Sequence, residues 1–273
     1  MAIKHPNPAG LSRAIRDIAI RIGRSSEDII LVGGQSVLFW VEIFDIPLPK
    51  ELPILTEDVD FIASMSDIVD AEDAISPVFD MKLAIASMDE TSPNSGKMTI
   101  KYPDVGKVNV DFLRMITGLS VEEATKDPFP MNIDGDVIQV LSPILLLKSK
   151  ISNIGYHLSK RNDEGIAQGR LAVAIARRYL ELKIKEGDKM PYSLFEEIIR
   201  FSKNDVASYA YQFNGIDTMT AIPVEMLPKD DPFVVKRYPV AMNQVSIKRA
   251  KFAAMVERMS ACDNDALNAR FHP

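Results

Sequence analysis

The sequence predicts an α+β (mixed α/β) fold: a mixed sheet with flanking helices over residues 1–140, followed by a mostly helical domain over 141–273. Two observations carry the prediction. Short apolar runs alternate with stretches of helical periodicity up to about Val78, and hairpin-like strands follow. From Ser142 onward the apolar spacing is helical, interrupted only by prolines such as Pro223, Pro228, Pro232 and Pro239.

Leu11 to Ile22 carries apolar residues at helical spacing, and Gly23 ends that helix. Ile29-Ile30-Leu31-Val32 is a short apolar run that reads as a buried strand, broken by Gly33-Gly34. Ser36 to Phe44 forms the next helix, with Trp40 in the core, and Pro47, Pro49 and Pro53 make an extended loop before Asp58. After Asp60-Phe61-Ile62 a helix is expected from Ser66 to Val78, capped by Ser66 or Asp67. Met81–Ala86 and Lys97–Lys101 read as strands joined through the turn Ser92-Pro93-Asn94-Ser95-Gly96. Pro103-Asp104-Val105-Gly106 turns the chain into the strand Val108–Leu113, and Asp134-Gly135-Asp136 separates a further pair of short strands. Ser142-Pro143 starts a helix with a capping hydroxyl and a proline in the first turn. Ile144, Leu147, Ile151, Ile154 and Leu158 form its core stripe, and a second helix runs from about Glu164 to Lys185.

Composition excludes several classes of protein. The single cysteine, Cys262, rules out an internal disulfide framework and fits a reducing compartment. No apolar run approaches the roughly 18 residues needed to cross a membrane, and Met1-Ala2-Ile3-Lys4 opens no signal peptide, so the expected location is cytoplasmic. His5, His157 and His272 lack metal-ligand spacing, and no GxxxxGK[ST] or GxGxxG motif is present. The net charge of −6 hides an asymmetry: Glu27 to Asp80 holds thirteen acidic residues against one basic, Lys148 to Glu186 nine basic against four acidic. An acidic first half suits a cation, and a basic second half suits nucleotide phosphates or nucleic acid.

Residues suited to chemistry concentrate between Ile29 and Leu113. Backbone N–H groups at a helix start can face an anion, and Gly33 and Gly34 let a phosphate approach closely. Asp58 and Asp60 are two residues apart, so on a strand both carboxylates leave one face. Asp111, on another apolar run, brings a third carboxylate, and crowded carboxylates are relieved by a divalent, oxygen-preferring cation. Asp111 facing solvent beside Asn109 is the alternative, in which the strand carries no metal. A phosphate cradle beside a carboxylate-bound metal is the equipment of phosphoryl or nucleotidyl transfer.

Gly33-Gly34, the helix after it, Thr56-x-Asp58-x-Asp60-Phe61 and Asp111 on a later strand together resemble the nucleotidyltransferase superfamily that includes DNA polymerase beta. The variant is similar to the AbiEii-type abortive-infection toxins and the related antibiotic nucleotidyltransferases, although twenty-three residues between Gly34 and Asp58 exceed the compact motif. The resemblance implies that Asp58, Asp60 and Asp111 are catalytic and hold two Mg²⁺ ions, with Asp111 the base or the group orienting the acceptor. It implies that Gly33, Gly34 and Ser36 hold the β- and γ-phosphates of a nucleoside triphosphate such as ATP. Lys150, seven residues after the helix-starting Pro143, takes the place of a family lysine that contacts nucleotide phosphate, and Asp163 carries over more loosely. The implied acceptor is a tRNA 3′ end or a protein hydroxyl, with a cognate antitoxin as partner if this is the toxin branch. A small-molecule nucleotidyltransferase with an acidic acceptor pocket, and a non-catalytic module of the same fold, are the alternatives.

Overall fold

The computed structural model describes residues 8–48, 58–87, 94–103, 105–187 and 190–271, with the side chains of 8–11 and 260–271 outside the description. Thr56, most of the proline loop before Asp58, Ser92-Pro93 and Asp104 lie outside the described residues. The chain divides into two units, Met1–Ser149 and Lys150–Pro273.

In the first unit a seven-stranded mixed sheet is flanked by helices. Its strands are β1 (Ile30–Val32), β2 (Asp58–Ile62), β3 (Met81–Ile85), β4 (Asn94–Tyr102), β5 (Gly106–Leu113), β6 (Phe129–Ile133) and β7 (Asp136–Val140). They lie in the order β3-β4-β5-β2-β1-β7-β6. β2 and β5 run parallel, as do β1 and β7, and every other neighbouring pair is antiparallel. Alternation splits the sheet into two unlike faces. One carries Leu31, Val59, Phe61, Val108, Val110, Phe112, Ile138 and Val140, all buried. Helix α1 (Pro8–Gly23) covers this face: a Cβ on Gly23 would meet Ile138 at 2.9 Å, and Tyr102 of β4 donates to Asp17 at 3.2 Å. The other face carries Asp58, Asp60 and Asp111, each only partly buried.

Helix α2 (Gly33–Ile43) starts at the glycine pair itself, three residues before its expected start. Trp40 is fully buried and its indole N–H donates to the Leu141 carbonyl at 3.0 Å. Helix α3 (Met65–Ile75) is capped by Ser64, not by Ser66 or Asp67. Asp67 is the third helical residue and its carboxylate returns a bond to the Ser64 N–H, so Ser64 and Asp67 form a reciprocal capping box. The helix also ends at Ile75, short of Val78. Asn94, Ser95 and Gly96, expected in a turn, already belong to β4. The six-residue helix α4 (Val121–Lys126), absent from the sequence reading, is capped by Ser120. Asp134 and Gly135 make the two-residue β6–β7 hairpin with φ of 55° and 95°, the positive values a mirror-image turn requires.

Helix α5 (Pro143–Tyr156) carries the chain from the first unit into the second. Ile144, Leu147, Ile151 and Ile154 are buried as the stripe requires, but Leu158 is 78% exposed. The helix ends at Tyr156, and Leu158 sits in the following 3-10 turn, where helical spacing no longer aims it inward. The second unit continues with α6 (Asp163–Glu186), α7 (Tyr192–Ser202), α8 (Asp205–Asn214) and α9 (Tyr238–Phe271). α6 is capped by Asn162 and closed by Gly187 in the left-handed conformation. Gly169 of α6 admits close packing, since a Cβ there would meet Ile154 at 2.7 Å.

A row of carboxylates on one sheet face

The strand register assembles the candidate site. Asp60 of β2 pairs with Val32 of β1 on one side and with Asp111 of β5 on the other. Asp111 in turn pairs with Lys97 of β4, so Val32, Asp60, Asp111 and Lys97 form one row across the sheet. The next row holds Asp58, Asn109 and Thr99, with the Thr99 hydroxyl donating to Asn109 Oδ1 at 3.2 Å. The three aspartates predicted to be catalytic therefore share a face, and Asp60 and Asp111, on neighbouring strands, pair directly.

Gly33 closes the row at the β1 end. Its φ of +68° is the left-handed conformation, and a Cβ on this residue would overlap the Asp60 carboxylate at Oδ2. Glycine is thus required twice, by backbone and by space. The same residue opens α2, so the first N–H groups of that helix start beside the Asp60 carboxylate. Ser36 is fully buried inside the first turn, where its hydroxyl donates to the Gly33 carbonyl at 2.9 Å, and Gly34 is buried as well.

Asp111 is electrostatically the most unusual member. Its side chain is 19% exposed, and Oδ1 is buried without a hydrogen bond. Burial pushes the carboxyl above its ordinary range, the Asp58 charge adds to the rise, and Lys97 pulls the other way. The Lys97 ammonium stands 3.6 Å from Asp111 Oδ1, an ion pair longer than a hydrogen bond. Lys97 is the residue the sequence reading missed: it lies fourteen positions from Asp111, and only the antiparallel β4–β5 register joins them.

Among the described residues no three His, Cys, Asp or Glu side chains are gathered closely enough to hold a metal ion. Asp58, Asp60 and Asp111 share a face without closing on one point. Their chemistry still matches a hard cation: all are oxygen donors, and the buried Asp111 Oδ1 accepts no hydrogen bond. Across neighbouring strands about 4.8 Å apart, rotation about side-chain bonds is what convergence would take.

Lys150 belongs to the second unit, where its side chain is buried and Nζ donates to Gln168 Oε1 at 2.8 Å. Gln168 passes a bond on to Glu164 at 3.0 Å. Asp163 opens α6 in the same unit.

No protein-family model matches the chain, and no curated protein matches it by sequence. Among the solved structures that match are two distant ones. JHP933 from Helicobacter pylori is 11% identical, with 95% of this chain and 97% of that one covered at a TM-score of 0.38. The Megavirus polyadenylate synthase is 16% identical, with 67% of this chain and 37% of that one covered at a TM-score of 0.39. Likenesses this distant leave the functional reading to the site's own residues.

Proposed function

We propose that this chain is a Mg²⁺-dependent nucleotidyltransferase that moves a nucleoside monophosphate from a triphosphate to an acceptor hydroxyl. The observation that carries the reading is the pairing of Asp60 with Asp111, on the face they share with Asp58, beside the Gly33 start of α2. Polar strand residues that serve only solubility have no need of a left-handed glycine fitted against one of their carboxylates. The motif order noted in the sequence supports the same reading.

In this proposal Asp58, Asp60 and Asp111 would hold two Mg²⁺ ions, whose charge would offset that of the triphosphate. Gly33 and Gly34 present backbone N–H groups to the β- and γ-phosphates. Ser36 acts by fixing that turn through its bond to the Gly33 carbonyl. Asp111 accepts the acceptor hydroxyl's proton or aligns that hydroxyl for in-line attack. The new bond joins the acceptor oxygen to the α-phosphorus, the bond to the β-phosphate oxygen breaks, and pyrophosphate leaves. The assignment of Lys150 to nucleotide phosphate rests on the resemblance alone, since within its own unit the buried ammonium is bonded to Gln168, and the acceptor is assigned to a tRNA 3′ end or a protein hydroxyl. A toxin role with a cognate antitoxin follows from the resemblance alone.

Binding tests the site before any turnover. A non-hydrolysable triphosphate should bind in Mn²⁺ or Mg²⁺ and be lost both on chelation and in Asp58→Asn, Asp60→Asn. Equal binding with and without metal would contradict the proposal and favour a module that keeps the fold without the chemistry.

A further inference from the structure

A cavity of ≈ 360 Å³ opens in the first unit, one row along the sheet from the aspartates. Its floor is Ile30 of β1, Ile62 of β2 and Leu113 of β5, with Val121 of α4 on one wall. Ile30 pairs with Ile62 and Ile62 with Leu113, so the floor is one continuous apolar row. Ile62 is two residues beyond Asp60 and Leu113 two beyond Asp111, which puts this row on the carboxylate face about 7 Å further along the strands.

The rim is charged and lopsided. Glu27, Asp28 and Asp67 line it against a single cation, Arg114. Asp67 is committed to structure, accepting from Ser26 Oγ and from the Ser64 N–H, both at 2.8 Å. Arg114 is turned to the Ser87 carbonyl at 3.3 Å. Glu27 and Asp28 are exposed in the loop that precedes β1, so their carboxylates are open to an incoming donor.

We infer that this cavity binds a small amphipathic amine, with its apolar body on Ile30, Ile62 and Leu113 and its ammonium at Glu27 and Asp28. The volume lies at the low end of ligand pockets, which are mostly apolar with a few placed polar groups. An anion is disfavoured, because three carboxylates outnumber one guanidinium at the rim. A fully polar ligand would leave the apolar floor without a partner. The inference does not depend on nucleotidyl transfer, although an amine seated here would lie beside the Asp60–Asp111 row.

The experiment uses the full chain, labelled at isoleucine methyls, without metal, and titrates ATP in a separate sample. Phenylbutylamine is titrated alongside phenylbutanol and phenylbutyrate, its neutral and anionic counterparts. The amine should shift the Ile30 and Ile62 methyls and bind about tenfold more tightly than the alcohol, with the acid weaker still. Glu27→Gln with Asp28→Asn, two exposed positions, should remove most of the amine's advantage and leave the alcohol unchanged. Equal binding of all three compounds, shifts at neither isoleucine, or shifts produced only by ATP would overturn the inference. The last result would make the cavity part of a nucleotide site.

Discussion

The Asp60 carboxylate fills the space that a Cβ on Gly33 would need, and Gly33 holds a φ of +68°. Backbone and side-chain geometry thus meet at one position, where a strand, a helix start and a carboxylate row come together.

Gly33→Ala should therefore cost more than the backbone alone explains. Gly215, at the end of α8, supplies the comparison, with a φ of +64° and nothing within 4 Å of where a Cβ would stand. Gly215→Ala should cost about 1 kcal/mol in urea unfolding, the left-handed penalty by itself. Gly33→Ala should cost about 2 kcal/mol or more, and combining it with Asp60→Ala should recover part of the difference. Equal costs at the two glycines would show that Asp60 does not press on Gly33.

Asp111 should make the fold less stable as pH rises. Burial lifts its folded-state carboxyl above the unfolded value. Between those two values the folded chain keeps a proton that the unfolded chain releases, so stability falls as pH climbs through that window. Asp111→Asn should flatten this dependence and raise stability at neutral pH by about 1 kcal/mol while abolishing transfer, a trade-off common at active sites. Thermal unfolding from acid to neutral pH measures it, and a steeper loss in the variant would refute the assignment.

Lys97 opposes that rise in the Asp111 carboxyl. Lys97→Met should therefore push Asp111 further upward, read by carboxyl-carbon NMR titration. The two side chains pair at 3.6 Å with Lys97 49% exposed, so stability should change by less than about 1 kcal/mol. An unmoved titration would mean that the ammonium does not act on Asp111.

Sequence pattern reached much of this fold because local physics dictated it. α1 follows from 3.6-residue spacing, and the β6–β7 hairpin from Asp134-Gly135. The errors share a cause as well. Leu158 keeps the spacing of α5 but lies past its end, and spacing alone does not say where a helix stops. The sequence places the α3 cap at Ser66 or Asp67, because one hydroxyl near a helix start looks like another. The deciding feature is Asp67 three residues on, which closes the capping box. α4 is too short for a period to develop.

The site was legible along each strand and illegible across them. Asp58 and Asp60 share a face by a rule that sequence obeys, whereas the Asp60–Asp111–Lys97 row depends on register between strands far apart in the chain. The cavity on Ile30, Ile62 and Leu113 was hidden for the same reason.

The most direct test of nucleotidyl transfer incubates the purified chain with each α-labelled nucleoside triphosphate, Mg²⁺ and total tRNA, beside Asp58→Ala, Asp60→Ala. The account predicts label on tRNA or on protein, dependent on metal and lost in the double variant. Label reaching neither acceptor with any triphosphate, or transfer undiminished by the double substitution, would contradict it.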